Sequence, residues 1–434
     1  MSRISIRFYL AVFFGRIVQW ILRLIGRSSG GTWPGEIALF ICPDFISRLK
    51  RESFRLVFVA GTNGKTTTGK MIQTILSENS FSVRVNESGA NLVNGLVSVL
   101  LSHPFVSKKQ IVYVLEVDEA SLPHALHAIS PDVLVLLNLF RDQLDRYGEI
   151  RAVMSLWKKC IEQLSTKTTI VANADDPSVA FVSGHHTGSV MYFGLEDPQR
   201  FLSKKEHATD SLYCPKCFRR LTYQGVYFSH LGIWTCGNCG NTHPDVVLRA
   251  SDVTSPLEGT YNIYNTLAAM SASNALGVAY DKSQSALSAF VPAFGRMEQI
   301  TYKNRVITIL LSKNPTGFNQ SLAATLEHTP TSLLLVLNDR IPDGTDVSWI
   351  YDVDFEQIFT HKQLRCYVSG DRVFDMALRL QYAGVSTNNI FPYESLRSAI
   401  EAFVSESQEG EKIWVLATYS GMLEVRKILT GKKI

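Results

Sequence analysis

At 434 residues, with 46% hydrophobic and 19% charged residues, the chain is too long for one core and too apolar to be disordered, so two or three globular domains are expected. A formal net charge of +4 and the lack of a long Lys/Arg run give no electrostatic footprint for nucleic acid. Seven cysteines, four of them in two C-x-x-C pairs, fit a metal site in a reducing, cytoplasmic compartment and not a disulfide framework.

The first predicted element is FYLAVFFGRIVQWILRLI, residues 8–25. Arg16, Gln19, Arg23 and Arg27 recur on one stripe at helical spacing, which predicts an amphipathic helix. A spanning helix would have to hide arginines in hydrocarbon, and a secretory signal would carry its charge before the apolar run. Two readings of the apolar face stay open: docking on the protein's own surface, or adhesion to the anionic inner face of a membrane. SGGTWPG, residues 29–35, reads as a glycine-rich breaker.

A strand at 56–60 then runs into GTNGKTTT, with a helix expected over 65–79. Gly61 and Gly64 let the backbone turn its N–H groups toward an anion at a helix N-terminus. Lys65 would reach the β/γ-phosphates and the Thr66 hydroxyl would hold Mg²⁺. Val59 stands where the full Walker pattern has glycine. The strand IVYVLEVDEA, 111–120, ends in Glu116 and Asp118; a carboxylate at a neighbouring strand end supplies the hard oxygen Mg²⁺ needs, and Glu116 is favoured. A strand at 133–140 runs into NLFRDQLDRYGE, 138–149, where Asn138 and Asp142 are either nucleotide or metal contacts or parts of a capped surface helix. A further strand-then-loop covers 168–177. Strands alternating with helices predict an α/β fold with a parallel sheet and ligands at the strands' carboxyl ends.

From about 203 to 247 short strands and charged residues replace this rhythm. Cys214, Cys217, Cys236 and Cys239 form C-x₂-C-x₁₈-C-x₂-C. Four thiolates make a closed tetrahedral shell, hence a structural Zn²⁺ ribbon, although iron fits the same donor set. The α/β pattern resumes with a helix near 261–276, where Asn262 and Asn265 read either as adenine contacts or as caps. After FGRMEQ, with Arg296 in an interdomain linker, a second open α/β domain starts near 300, with strands at 306–311, 332–337, 365–369 and 413–417. Lys313 ends its first strand, and residues 337–356 gather six carboxylates, Asp346 among them, in a polar loop or a site.

GTNGKTTT, EVDEAS, NLFRDQLDRYGE, NADDP, YNIYN and FGRME resemble the central ATPase domain of the Mur ligase superfamily, whose phosphate loops also lack the first Walker glycine. The cysteine ribbon, KNPTGFN and NDRIPDGTDVSWIYD resemble the MurT family in particular, over nearly the whole chain. The resemblance implies an N-terminal lead-in over 1–50, a Mur ligase-type ATPase domain over 51–299 with an inserted four-cysteine zinc ribbon, and a Rossmann-like C-terminal domain over 300–434. It implies a lipid II isoglutaminyl synthase subunit that activates the D-glutamate α-carboxyl as an acyl phosphate and amidates it with ammonia from a GatD-like glutaminase. By the same resemblance Gly61, Thr62, Asn63, Gly64, Lys65, Thr66 and Thr67 cradle ATP phosphates, and Thr66 and Glu116 hold Mg²⁺. Asn265 meets adenine, Arg296 and Lys313 reach phosphate, and Asp346 completes the partner's Cys–His pair. Asp142-Gln143-Leu144 departs from the second-metal histidine of other Mur ligases, and Leu311 from the ribose-binding aspartate that some of them carry. The rivals are a Mur or folylpolyglutamate-type amino-acid ligase and a nucleotide-switched zinc-ribbon binding protein.

Overall fold

The computed structural model describes residues 6–24, 32–49, 54–86, 93–101, 111–141, 150–203, 206–207, 209–292 and 296–431. Val/Ile/Leu-rich runs form a first sheet of β1 (Phe54–Ala60), β2 (Ser82–Val85), β3 (Ile111–Val117), β4 (Val133–Leu136), β5 (Thr169–Asn173) and β6 (Val190–Phe193). All pairings are parallel, in the order β2-β3-β1-β4-β5-β6. Such a sheet needs cover on both faces, and β1 accordingly alternates. Phe54, Leu56 and Phe58 point into one core with Phe8, Ala38 and Leu96, while Val57 and Val59 point into another with Met71, Ile72 and Leu267.

The first core is closed by α1 (Ile6–Leu24), α2 (Trp33–Ile41), α4 (Val93–Leu101), α5 (Leu122–Ala128) and α6 (Ile150–Glu162). The second is closed by α3 (Lys65–Glu78) packed on α8 (Thr260–Ala275), with α9 (Tyr280–Ala286) beside them. The short α7 (Pro177–Ser183) follows β5, its N-terminus capped by Asp176, whose Oδ1 accepts from the Ser178 and Val179 N–H groups. Strand order reverses at β1, so its carboxyl end opens on a switch-point crevice. Between β6 and α8 the chain inserts an antiparallel hairpin, β7 (Thr222–Phe228) and β8 (Leu231–Thr235).

The second sheet, β13-β12-β11-β14-β10-β9, comprises β9 (Arg296–Tyr302), β10 (Arg305–Leu311), β11 (Ser332–Val336), β12 (Arg365–Ser369), β13 (Ile390–Pro392) and β14 (Lys412–Ala417). Its helices are α10 (Pro315–Leu326), α11 (Val373–Tyr382), α12 (Leu396–Ser405) and α13 (Tyr419–Thr430).

Three expectations are corrected. Arg296 is not in a linker: it opens β9, which folds back on β10 through Lys303 and Asn304, both at positive φ, as a tight two-residue hairpin turn requires. The supposed breaker is partly helical, because Pro34 suits the first turn of α2, where its missing N–H costs nothing. The stripe on α1 is inverted. Arg16 Nε donates to the Leu101 carbonyl at 2.8 Å and Gln19 Nε2 to the Ser98 carbonyl at 2.6 Å. Those carbonyls belong to the last turn of α4, which has no intrahelical donors left and favours a cation, so Gln19 is buried against it and Arg16, still exposed, reaches it from the edge of the helix. The water-facing side of α1 carries Ile6, Tyr9, Leu10, Phe13, Trp20 and Leu24, with Arg7 and Arg16 exposed at its margins. Arg27 and the side chain of Arg23 lie outside the described residues.

Candidate nucleotide site at the junction of the two sheets

The loop after β1 is held from beneath. Asn138, at the end of β4, accepts from the Asn63 N–H at 2.8 Å and donates Nδ2 to the Asn63 carbonyl at 3.1 Å. The Thr62 N–H donates to the Asn138 carbonyl at 3.0 Å, and the Thr62 hydroxyl accepts from the Phe140 N–H at 3.0 Å. Asn138 therefore shapes the loop; Asp142 lies outside the described residues. Gly64 has φ of +88°, and a Cβ there would stand 2.2 Å from Asn265 Oδ1, so both conformation and space demand glycine.

From this loop α3 starts with three hydroxyl-bearing residues whose roles diverge. The Thr66 hydroxyl donates to Glu116 Oε2 at 2.7 Å, which brings the two expected Mg²⁺ ligands together. Thr67 faces the cleft, and Thr68 Oγ1 donates to Asn265 Oδ1 at 3.3 Å. Lys65 Nζ lies over the Gly61 and Thr62 carbonyls and pairs with Glu119 Oε2 at 3.1 Å. Burial alone would push the Glu119 carboxyl up, but Lys65 and then Lys313 pull it below its ordinary range. Cations from both sheets thus act on one buried carboxylate. Glu119 went unremarked in the sequence, three residues past Glu116 in EVDEAS, because only the fold reveals which of several acidic side chains turns toward the lysine.

Beside the loop opens a cleft at the carboxyl end of the first sheet. Asn63, Gly64, Thr67, Asn262 and Asn265 line it from the first unit, Lys313 and Asn314 from the second. Asn265 Nδ2 donates to Asn262 Oδ1 at 3.1 Å, a paired amide surface at the start of α8. Leu310 and Leu311 make that wall apolar where a ribose-binding carboxylate would stand. Met297, next to Arg296, also lines the cleft; the Arg296 side chain is outside the described residues. Phe228 and Leu231, at the tip of the β7–β8 hairpin, supply a further wall that sequence reasoning missed. The apolar run YFSHLGIW between the cysteine pairs was the available signal.

At the far end of that hairpin the four cysteine sulfurs lie within 4.8 Å of one another, with Cys214–Cys239 at 3.6 Å and Cys217–Cys236 at 3.4 Å. A tetrahedron with Zn–S bonds of about 2.3 Å needs sulfurs about 3.8 Å apart, so the cluster fits such an ion. The module is joined to the first sheet by buried polar bonds: Trp234 Nε1 donates to the Ala174 carbonyl at 3.0 Å, and His243 Nε2 sits 2.7 Å from Asp175 Oδ1.

The acidic segment 337–356 resolves into individual partners. Asp339 pairs with Arg372 at 2.8 Å, Asp352 with Arg141 at 3.6 Å, and Glu356 with Arg379 at 3.0 Å. Asp343 is buried and accepts from the Ser420 N–H at 2.8 Å, and Asp354 accepts from Asn319 Nδ2 at 2.8 Å. Asp346 differs: it is exposed, and its carboxylate, held below its ordinary range by Ser348, accepts that residue's N–H at 2.8 Å. It does not line the cleft beside the loop.

Comparison with known proteins agrees with this two-unit layout. Residues 59–273 match the Mur ligase middle domain and residues 311–422 the MurT ligase C-terminal domain. The chain is 32% identical to the lipid II isoglutaminyl synthase (glutamine-hydrolyzing) subunit MurT of Streptococcus pneumoniae, over 98% of this chain and 97% of that protein. It belongs to the MurT family. The subunit of the same name from Staphylococcus aureus (strain COL) is 30% identical over 87% of this chain and 89% of its own length. Among solved structures, a pseudomurein peptide ligase type C from Methanothermus fervidus superposes with a TM-score of 0.66 at 21% identity, covering 90% of this MurT-family chain and 81% of its own. MurF ligase from Thermotoga maritima, in complex with ADP, gives 0.60 at 17% identity, covering 89% and 83%. At those identities the likeness speaks for the Mur ligase fold. The MurT family match makes the chain a ligase of Mur type.

Proposed function

We propose that this MurT-family chain is the synthetase subunit of a lipid II isoglutaminyl synthase. It converts the α-carboxyl of the stem-peptide D-glutamate into the amide, with ATP and with ammonia from a GatD-like glutaminase. The work takes place on the cytoplasmic side of a membrane. The γ-phosphoryl group passes to a carboxylate oxygen, giving an acyl phosphate and ADP. Ammonia then adds to the carbonyl carbon, the carbon–oxygen bond to phosphate breaks, and inorganic phosphate and a proton leave. A carboxylate is a poor electrophile until its oxygen becomes a leaving group, which is what the nucleotide supplies.

The observation that carries the reading is the buried Lys65–Glu119 ion pair beside the Thr66–Glu116 pair, with Lys313 of the second unit lining the cleft next to that loop. In this reading Gly61 to Thr67 hold the phosphates with their N–H groups at the α3 N-terminus. Lys65 exchanges Glu119 for phosphate, and Lys313, with Arg296, meets the phosphates from the second unit. Thr66 and Glu116 would hold Mg²⁺, which when bound neutralises phosphate charge. Asn265 reads the adenine edge. Catalysis is positioning and charge neutralisation. Cys214, Cys217, Cys236 and Cys239 would hold a structural Zn²⁺ that keeps the Phe228–Leu231 tip against the nucleotide. Asp346, exposed and free of the structural pairings of its neighbours, suits a partner's Cys–His pair.

The test is to combine the purified chain with a glutaminase subunit, glutamine, Mg²⁺, ATP and lipid II, and to follow the precursor by mass spectrometry. Exchange of one hydroxyl for an amino group is expected. An unmodified precursor, or ATP turnover that requires an added amino acid instead of glutamine or ammonium, would overturn the reading in favour of an amino-acid ligase.

A further inference from the structure

The outward side of α1 is built against the usual logic of a surface helix. Ile6, Leu10, Phe13, Trp20 and Leu24 follow one another at intervals of three, four or seven along a single stripe, Phe13 is 58% exposed and Trp20 62%. On the neighbouring α2, Phe40 is 89% exposed. Gln19 is buried against the last turn of α4, and the exposed Arg16, which donates to the Leu101 carbonyl there, and Arg7 flank the apolar stripe. The stripe runs the length of this 19-residue helix, about 28 Å, and a contiguous row of exposed apolar side chains marks an interaction surface.

The charge of the segment indicates what covers it. Residues 1–50 hold seven Lys or Arg against two Asp or Glu, a net +5, so the other 384 residues sum to −1. Pairing two copies through this face would bring two net +5 segments together, whereas an anionic lipid surface neutralises the charge while taking up the apolar side chains. Trp20 and Tyr9 are of the type enriched where hydrocarbon meets headgroups. Among the described residues no helix is long and apolar enough to cross a membrane. We infer that α1 lies flat in the headgroup region of an anionic bilayer, its Ile6–Phe13–Trp20 stripe immersed and its Arg16–Gln19 side docked on the protein. This deepens the reading above, since a lipid-linked substrate is then met at the surface that holds the enzyme, but the geometry of α1 does not depend on that substrate.

The experiment is co-sedimentation of the full chain with vesicles of phosphatidylcholine alone and of phosphatidylcholine mixed with phosphatidylglycerol, with neither nucleotide nor lipid II present, so amidation can fail while this result stands. Sedimentation with the mixed vesicles, weakened by salt and at least ten-fold poorer without the anionic lipid, is expected. Phe13→Glu and, separately, the milder Phe13→Gln should lower the bound fraction ten-fold or more, with thermal melting and ATP turnover on a lipid-free precursor unchanged. Equal vesicle binding by wild type and both variants, or no binding at all, would overturn the inference. So would a concentration-dependent dimer that Phe13→Glu converts to monomer, since the face would then be an interface between copies.

Discussion

Asn63 in the phosphate loop and Asn314 in the second unit exchange amide hydrogen bonds across the cleft: Asn314 Nδ2 donates to Asn63 Oδ1 at 3.1 Å and Asn63 Nδ2 to Asn314 Oδ1 at 3.4 Å. Asn314 Oδ1 also caps α10 by accepting the Gly317 N–H at 2.8 Å. The two roles separate by substitution. Asn314→Ala should cost about 1 kcal/mol of stability through the lost cap and also raise KM for ATP. Asn314→Asp keeps the capping acceptor but sets an oxygen against Asn63 Oδ1, so it should raise KM for ATP several-fold with the melting temperature preserved. Melting curves and ATP titrations of both variants check this.

The Lys65–Glu119 pair is nearly buried on both sides. Lys65→Met should lower kcat by at least about 100-fold, as loss of a charge-stabilising group does. It should also destabilise the fold by about 3 kcal/mol, because it strands a buried carboxylate. Adding Glu119→Gln should restore the melting temperature but not the turnover. If the double variant melts as low as the single one, the pair does not have the structural role assigned to it.

Asp346→Asn should leave ATP binding and ammonium-driven amidation within about two-fold of wild type while glutamine-driven amidation falls by about 10³-fold or more, as loss of a triad's orienting carboxylate does. Rates with each nitrogen donor, measured side by side in the presence of the glutaminase subunit, decide it. Equal loss with both donors would mean that Asp346 serves the synthetase reaction itself.

Metal removal should be felt at the nucleotide before the fold is lost. The cysteine cluster lies at one end of the β7–β8 hairpin and the cleft-lining Phe228 and Leu231 at the other. Chelation, or Cys217→Ser, should weaken binding of a fluorescent ADP analogue by about ten-fold, the cost of losing part of an apolar wall. The emission of Trp234, which packs with Cys214 and Cys236, should shift to the red in parallel. Unchanged nucleotide affinity in the metal-free protein would separate the two ends of the hairpin.

Glu206 supplies a pH dependence. Burial raises its carboxyl to about 7, and it accepts the Ser229 N–H at 2.6 Å next to the tip of the ribbon hairpin. Because its pKa is higher folded than unfolded, its contribution to stability is full below the unfolded value and is lost as pH rises through about 7. The melting temperature should therefore fall between pH 5 and pH 8, and Glu206→Gln should reduce that fall by about 3 °C. An unaltered pH profile in the variant would exclude Glu206 as the titrating group.

Much of this molecule can be read in one dimension. Near-continuous apolar runs ending in polar clusters and alternating with helical stretches announced the parallel sheet, and GTNGKTTT after such a run announced a phosphate loop, because glycine freedom and a lysine at a helix start are properties of local backbone. The cysteine spacing announced a tetrahedral site for the same reason. The edge strands of both sheets, β2, β6, β9 and β13, were missed, being short or polar, and the RMEQITY run looked like a linker because an edge strand need not be apolar throughout.

What the chain order alone determined is therefore the set of local elements and the chemistry each can offer. Tertiary structure decided which groups meet. Glu119 rather than another acidic residue faces Lys65, Lys313 of the second unit lines the cleft beside the same loop, and the ribbon tip adds a wall to that cleft. It also turned α1 over: helical periodicity identifies a polar stripe, but whether that stripe meets water or the unsatisfied carbonyls of α4 depends on what packs beside it. Such contacts link residues dozens to hundreds of positions apart, and their energies arise only when burial removes the competing water.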